Sequence, residues 1–194
     1  MFSSYGNYKK VRNAAWQVLI DHNVRELPVP IVRIANESGI TLIKNSEVLE
    51  LRDNEVGISL LDGDNWYIIY DDTTTKGRVR FTIAHELGHI FLGHPITHSA
   101  YHARTFESNK PEIETEADSF ASRLLTPACV LWGLHVHTAE DIVNLCDVSY
   151  TAAQIRAERM QILYERNMFL RNPLEQQVFS QFEEYIENHK QFVF

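Results

Sequence analysis

The chain has 194 residues, 44% of them hydrophobic and 23% charged. That supports one well-buried core with a small appended subdomain and argues against a disordered chain. A net charge of −8 with the histidines neutral argues against a general nucleic-acid binder, which presents a basic face to phosphates, and leaves a basic protein partner open.

The early Lys9-Lys10 pair is followed by Val11, Ala14, Ala15, Val18 and Leu19 at helical spacing, which predicts a first helix over Tyr8–His22. Arg12, Asn13 and Asp21 interrupt its apolar residues, so it reads as an amphipathic helix and not as a signal peptide. Pro28 and Pro30 set an extended entry to a short helix over Ile31–Ser38, closed by Gly39. Strand signals follow in "ITLIKN", and in "VGISLL" and "WYIIYDD" on either side of the hairpin turn "DGDN". From about Lys76 the pattern is helical through His94, where Pro95 stops it, and the polar stretch 96–110 reads as a surface loop. Pro111 and a run of acids open a helix that ends before Pro127. Thr138 with Asp141 resembles a capping box for a helix through about Leu145. "DVS" makes a turn, Tyr150–Glu165 is helical, and Asn172-Pro173 starts a last helix with Leu174, Val178, Phe182, Tyr185 and Ile186 in one stripe. The two cysteines, Cys129 and Cys146, lack CxxC spacing and read as reduced thiols. No apolar run is long enough to span a membrane, and the expected location is the cytoplasm.

The chemistry concentrates in "FTIAHELGHIFLGH", Phe81–His94. His85, Glu86 and His89 form HExxH on a predicted helix. Residues four apart lie one turn above each other, so both imidazoles can reach one ion. Glu86 is turned about 100° away by the helix, which places it beside the metal to act on a water. A core helix with two histidines and a carboxylate among Ile83, Leu87, Ile90 and Phe91 would have to satisfy all three polar groups without a function. A catalytic zinc takes three protein ligands and keeps a fourth position open. His94 is one residue short of the HExxHxxGxxH spacing, with Leu92 and Pro95 where Gly and His would stand, and reads as a helix-end residue. The acidic helix supplies Glu112, Glu114, Glu116 and Asp118. Glu112 and Glu114 sit near its start, where acids favour a helix N-terminus. Glu116 lies in its body beside the small apolar face of Ala117 and Ala121, and is the expected third ligand. Zinc is the expected metal, with manganese or iron as alternatives at an N,N,O site.

Other residues carry weaker signals. His98, Tyr101, His102, His135 and His137 are candidates to stabilise a tetrahedral intermediate, each with a surface reading beside it. The strand "WYIIY" is either a core strand or an edge that takes a substrate strand. Arg78 and Arg80 read as ion-paired scaffold. "TAEDIVNLCDVSYTAAQIRAERM" has the outline of a helix-turn-helix with Arg156 and Arg159 on its second helix, but Glu140, Asp141, Asp147 and Glu158 leave it nearly neutral. Substrate docking suits it better than DNA contact. Phe179, Phe182, Phe192 and Phe194 near the C-terminus read as a helix closing the core, with association as the alternative.

"RFTIAHELGH", "ETEADSFASRLLTP" and "CDVSYTAAQIRAERM", in that order, resemble the three signatures of the ImmA/IrrE family of zinc metallopeptidases, and "LPVPIVRIANESGI" resembles its N-terminal segment. The likeness covers about residues 8–165. It departs at Thr126, where Met is common before Pro127, and in the loop 96–110. The resemblance implies an α+β, zincin-like fold: a small, mostly antiparallel sheet, an HExxH helix, a Glu-bearing helix and a helix-turn-helix-like C-terminal part. The expected division is residues 1–134, 135–170 and 171–194: metallopeptidase domain, helical subdomain, C-terminal helix and tail. It also implies zinc on His85, His89 and Glu116, with Glu86 as the catalytic glutamate. The implied activity is an endopeptidase that cleaves an XRE-type helix-turn-helix repressor encoded nearby; hydropathy and charge add the expectation of no membrane and no direct nucleic-acid contact. The alternative is a non-proteolytic module that sequesters a regulator and holds a structural zinc.

Overall fold

The structure, a computed structural model, describes residues 2–95, 101–102 and 111–190. The elements run α1 (Phe2–Asp21), α2 (Ile31–Glu37), β1 (Ile40–Lys44), α3 (Asn45–Val48), β2 (Glu55–Asp62), β3 (Asn65–Tyr70), α4 (Lys76–Leu92), β4 (Tyr101–His102), α5 (Glu112–Leu125), α6 (Ala128–Gly133), α7 (Ala139–Cys146), α8 (Tyr150–Arg166), α9 (Pro173–Gln181) and α10 (Glu183–His189). The fold is mixed α+β. The chain divides into two compact units, Met1–Val11 with Ile31–Ala121, and Arg12–Pro30 with Ser122–Phe194. The boundaries expected near 134 and 170 do not coincide with this division.

The first unit holds the sheet, in the order β1-β3-β2-β4. β1 runs parallel to β3, while β2 is antiparallel to both β3 and β4. The "DGDN" hairpin is present: Asp62 pairs with Asn65, and Gly63 takes the turn at φ 58°, a conformation that costs glycine least. β3 is hydrogen-bonded on both sides and buries Ile68 and Ile69. It is therefore an interior strand: of the two readings of "WYIIY" the core strand holds, and no edge is open there to a substrate strand. Most of the loop expected at 96–110 lies outside the described residues, but Tyr101–His102 pair with β2 as β4.

α4 lies close on β2 because the strand presents small residues where they meet. Gly57 and Ser59 alternate onto one face of the strand, opposite Thr82 and Glu86 one helical turn apart. A Cβ on Gly57 would stand 2.5 Å from Thr82 Cγ2 and 3.3 Å from Glu86 Oε1. α5 approaches α4 at Gly88, where a Cβ would come within 3.2 Å of the Ala117 Cα and 3.1 Å of Phe120 Cδ1. Gly88→Val would force a branched side chain against backbone. It is expected to destabilise the protein by about 1–3 kcal/mol, read as a lower denaturant midpoint at unchanged slope. An unchanged midpoint would mean that the helices can part without cost.

α4 ends at Leu92, two residues before the predicted stop. Gly93 adopts the left-handed conformation at φ 69°, ψ 37°, and the His94 N–H donates back to the His89 carbonyl at 3.0 Å, a glycine-capped helix end. Lys10 Nζ donates to the Leu92 carbonyl at 3.4 Å, placing a cation at the negative end of the helix.

The second unit is helical. Trp132 stacks on Phe169, with centroids 5.1 Å apart, and the Tyr164 hydroxyl donates to the Val136 carbonyl at 3.0 Å. Thr138 caps α7 by accepting from the Asp141 N–H, as expected, and Ser149 caps α8 by accepting from Ala152. Residues 147–149 join these two helices. Arg156 is buried and donates to the Thr126 carbonyl, which turns it inward and away from any duplex. The predicted last helix is two, α9 and α10, broken at Phe182 (φ −94°, ψ 1°), whose ring is buried with Val178 and Ile186. Phe192 and Phe194 lie outside the described residues. Cys129 and Cys146 are unbridged and buried, and burial pushes the Cys129 thiol up to about 12, leaving it inert. Among the described residues no helix is long and apolar enough to cross a membrane.

Candidate metal centre

The site lies within the first unit, on β2, α4 and α5. Helical spacing stacks His85 and His89 on one face of α4, with their Nε2 atoms 3.0 Å apart. Glu114 from α5 completes a triangle: its Oε2 is 3.3 Å from His85 Nε2 and its Oε1 is 3.4 Å from His89 Nε2. These three residues form the group, among those described, able to hold a metal ion. Ligands at bonds of about 2.0–2.1 Å around a tetrahedral ion stand about 3.3 Å apart, so the spacing fits.

The hydrogen bonding fits as well. His85 Nδ1 lies 2.9 Å from Asp118 Oδ1. A carboxylate only accepts, so this nitrogen carries the proton and Nε2 keeps its lone pair for the cluster, an arrangement common around ligating histidines. Glu86 points to the other side of the motif, onto β2. Its Oε2 accepts from the Ser59 hydroxyl at 2.5 Å, while its Oε1 is buried with no hydrogen-bond partner. A buried carboxylate oxygen left unpaired costs stability, so this side of the motif has an acceptor free for a further polar group.

Burial dominates the electrostatics. It raises the Glu86 carboxyl to about 7, against the pull of His85 and the Ser59 hydroxyl. Burial, then the neighbouring His85, pushes His89 down to about 4. For metal-free His85 burial opposes the charge, but the hydrogen bonds that the doubly protonated ring makes to Asp118 and Glu114 outweigh it and the pKa is raised. Without metal, Glu86 therefore holds its proton more tightly folded than unfolded. Stability from this group is present below about 4.5 and is lost as pH rises toward about 7. Metal-free Glu86→Gln is accordingly expected to melt several degrees above metal-free wild type at pH 8, the gap shrinking toward pH 5. A gap independent of pH would show that Glu86 is not the group responsible.

The structure brings His85, Glu86 and His89 together as one site. It does not bring Glu116 to the two histidines: Glu116 Oε2 lies 2.9 Å from His94 Nε2, and Glu114 holds the third corner. Burial does not distinguish the two glutamates, whose side chains are 13% and 14% exposed. Helix phase does. Ala117 faces Gly88, Glu114 stands one turn before it on the same face, and Glu116 is rotated by about 100°. The series Glu114, Ala117, Asp118, Ala121, at i, i+3, i+4 and i+7, was the signal for this face. Sequence reasoning also missed Asp118 as the partner of His85, and Ser59, a hydroxyl in a strand where nothing local marks it. Of the residues proposed to stabilise an intermediate, His98 and the side chains of Tyr101 and His102 lie outside those described. His135 and His137 belong to the second unit, where His137 stacks on Tyr164.

A family model described as an IrrE N-terminal-like domain, Peptidase_M78, matches residues 35–158. That is well over half of the chain, and it contains every residue of the cluster. None of the curated proteins matches the chain.

Proposed function

Because the chain belongs to the M78 peptidase family, we propose that it is a zinc-dependent endopeptidase of zincin-like fold. Its proposed substrate is one cytoplasmic protein, an XRE-type helix-turn-helix repressor encoded nearby. The observation that carries the peptidase reading is the convergence of two histidine nitrogens and a carboxylate, 3.0–3.4 Å apart, beside a buried glutamate with one unpaired oxygen. The substrate class rests on the resemblance to ImmA/IrrE peptidases.

His85, His89 and Glu114 would hold the ion. When bound there, zinc acidifies a water and polarises a carbonyl oxygen. Glu86 is the general base: the Ser59 hydroxyl fixes Oε2, which leaves Oε1 to take a proton from water and pass it to the leaving amine. Burial raises this carboxyl in the metal-free site, and a cation held beside it would pull it back toward the range in which it can act as a base. A sequestering module would have no use for Glu86, which is not needed to hold metal and adds a desolvated carboxylate to the core. The helical pair α7–α8, joined by a three-residue turn, is a docking candidate for the substrate; the inward turn of Arg156 weighs against duplex DNA.

The zinc-loaded protein, incubated with the repressor encoded nearest its gene, is expected to yield one new pair of fragments by intact mass. Chelation should abolish them and added zinc restore them. A stable complex with no cleavage under any loading would favour sequestration.

A further inference from the structure

We propose that His94 and Glu116 form a relay that orients the metal ligand His89, with Glu116 fixing the tautomer of His94 and His94 fixing that of His89. This rests on the metal-centre reading above. His94 Nδ1 lies 3.0 Å from His89 Nδ1, and His94 Nε2 lies 2.9 Å from Glu116 Oε2. The nitrogen that His89 offers to the cluster is Nε2, at the far side of its ring from His94. His94 is therefore on the wrong side of His89 to share the ion, and Glu116 is one residue further out.

The direction of the protons follows from the outer end inward. A carboxylate only accepts, so the facing Nε2 of His94 carries the proton. In a neutral imidazole the other nitrogen, Nδ1, is then an acceptor. It faces His89 Nδ1, which must carry that ring's proton. His89 Nε2 is left with its lone pair, as a metal ligand needs. The opposite direction would set a lone pair of His94 against the Glu116 carboxylate, and would put the His89 proton on Nε2, where it occupies the lone pair that a metal ion needs. Glu116 thus acts two rings away from the metal and never touches it.

The backbone builds this relay from the helix end. Gly93 in the left-handed conformation lets the His94 N–H reach the His89 carbonyl, folding residue 94 back over the last turn so that its ring meets the His89 ring, their centroids 5.0 Å apart. The His94 side chain is 5% exposed, so water does not compete for its nitrogens. On His85 the same office is filled in one step by Asp118. The two ligands are oriented by separate carboxylates of one helix.

The test uses the full chain, with Zn²⁺ affinity measured by competition against a chromophoric chelator and the d–d spectrum of the Co²⁺ form. His94→Ala is expected to keep one ion per chain while losing about 10–100-fold in affinity, with a shifted Co²⁺ spectrum. His94→Gln, whose amide oxygen can accept from His89 Nδ1–H, is expected to recover most of both. Glu116→Ala should weaken binding without changing the stoichiometry, and adding it to His94→Ala should cost nothing more, because it acts only through His94. Wild-type affinity in both His94 variants, or losses that add in the double variant, would overturn the relay. Loss of the ion altogether in Glu116→Ala would make Glu116 a ligand, also against it. A wild-type chain that takes up no zinc would overturn the metal centre itself, and the relay with it.

Discussion

Glu86→Gln is expected to lower turnover of the protein substrate by at least ~10²–10⁴-fold, the range typical of a removed general base, with one zinc still bound per chain. The substitution changes little else in the geometry of the site. The amide oxygen can accept from the Ser59 hydroxyl as Oε2 does now at 2.5 Å, and the NH₂ occupies the place of the unpaired Oε1. What is lost is a group that can take a proton. His85, His89 and Glu114 keep their 3.0–3.4 Å spacing, because Glu86 is no part of that triangle. Single-turnover cleavage read by intact mass, with metal content measured on the same sample, separates the two consequences. Full activity in the variant would remove Glu86 from the chemistry. Loss of zinc would place it in the coordination sphere instead.

The parts of the site legible in the sequence are those fixed by local geometry. His85 and His89 meet because residues four apart on a helix always do, and Glu86 is set aside by the same rule. The third corner depends on the phase of α5 against α4. That phase is decided by Ala117 and Phe120 seating on Gly88, a contact between residues nearly thirty positions apart. Ranking the acids by distance from the helix start therefore favoured Glu116, although the small residue at 117 marks the inward face and points to Glu114. The helix end shows the same lesson at shorter range. Pro95 forbids continuation, but Gly93 had already provided the left-handed cap that stops α4 at Leu92. In the sheet, the apolar run from Trp66 to Tyr70 was the mark of an interior strand, and β3 is one. The break at Phe182 had no local signal, since neither Gly nor Pro interrupts the stripe there.

Glu114→Ala is expected to cost the protein its metal, weakening zinc binding by at least ~10²-fold and taking cleavage to background. The size follows from the binding energy of structural zinc, about 10–16 kcal/mol over four ligands, which assigns about 3 kcal/mol to each. The loss exceeds the relay's because a coordinate bond disappears, not merely its orientation. Two further features single out Glu114. It touches both histidines, one with each oxygen, so its removal leaves two lone pairs 3.0 Å apart with no carboxylate facing them directly. It also lies one turn from Asp118, the partner of His85 Nδ1, so the same helical face supplies both the third corner of the triangle and the group that orients His85. Glu116→Ala, by contrast, leaves the triangle complete and should retain one ion per chain. If Glu114→Ala bound zinc like wild type while Glu116→Ala bound none, α5 would have to be turned about its axis by some 200° at the site, taking Ala117 off Gly88 and Asp118 off His85.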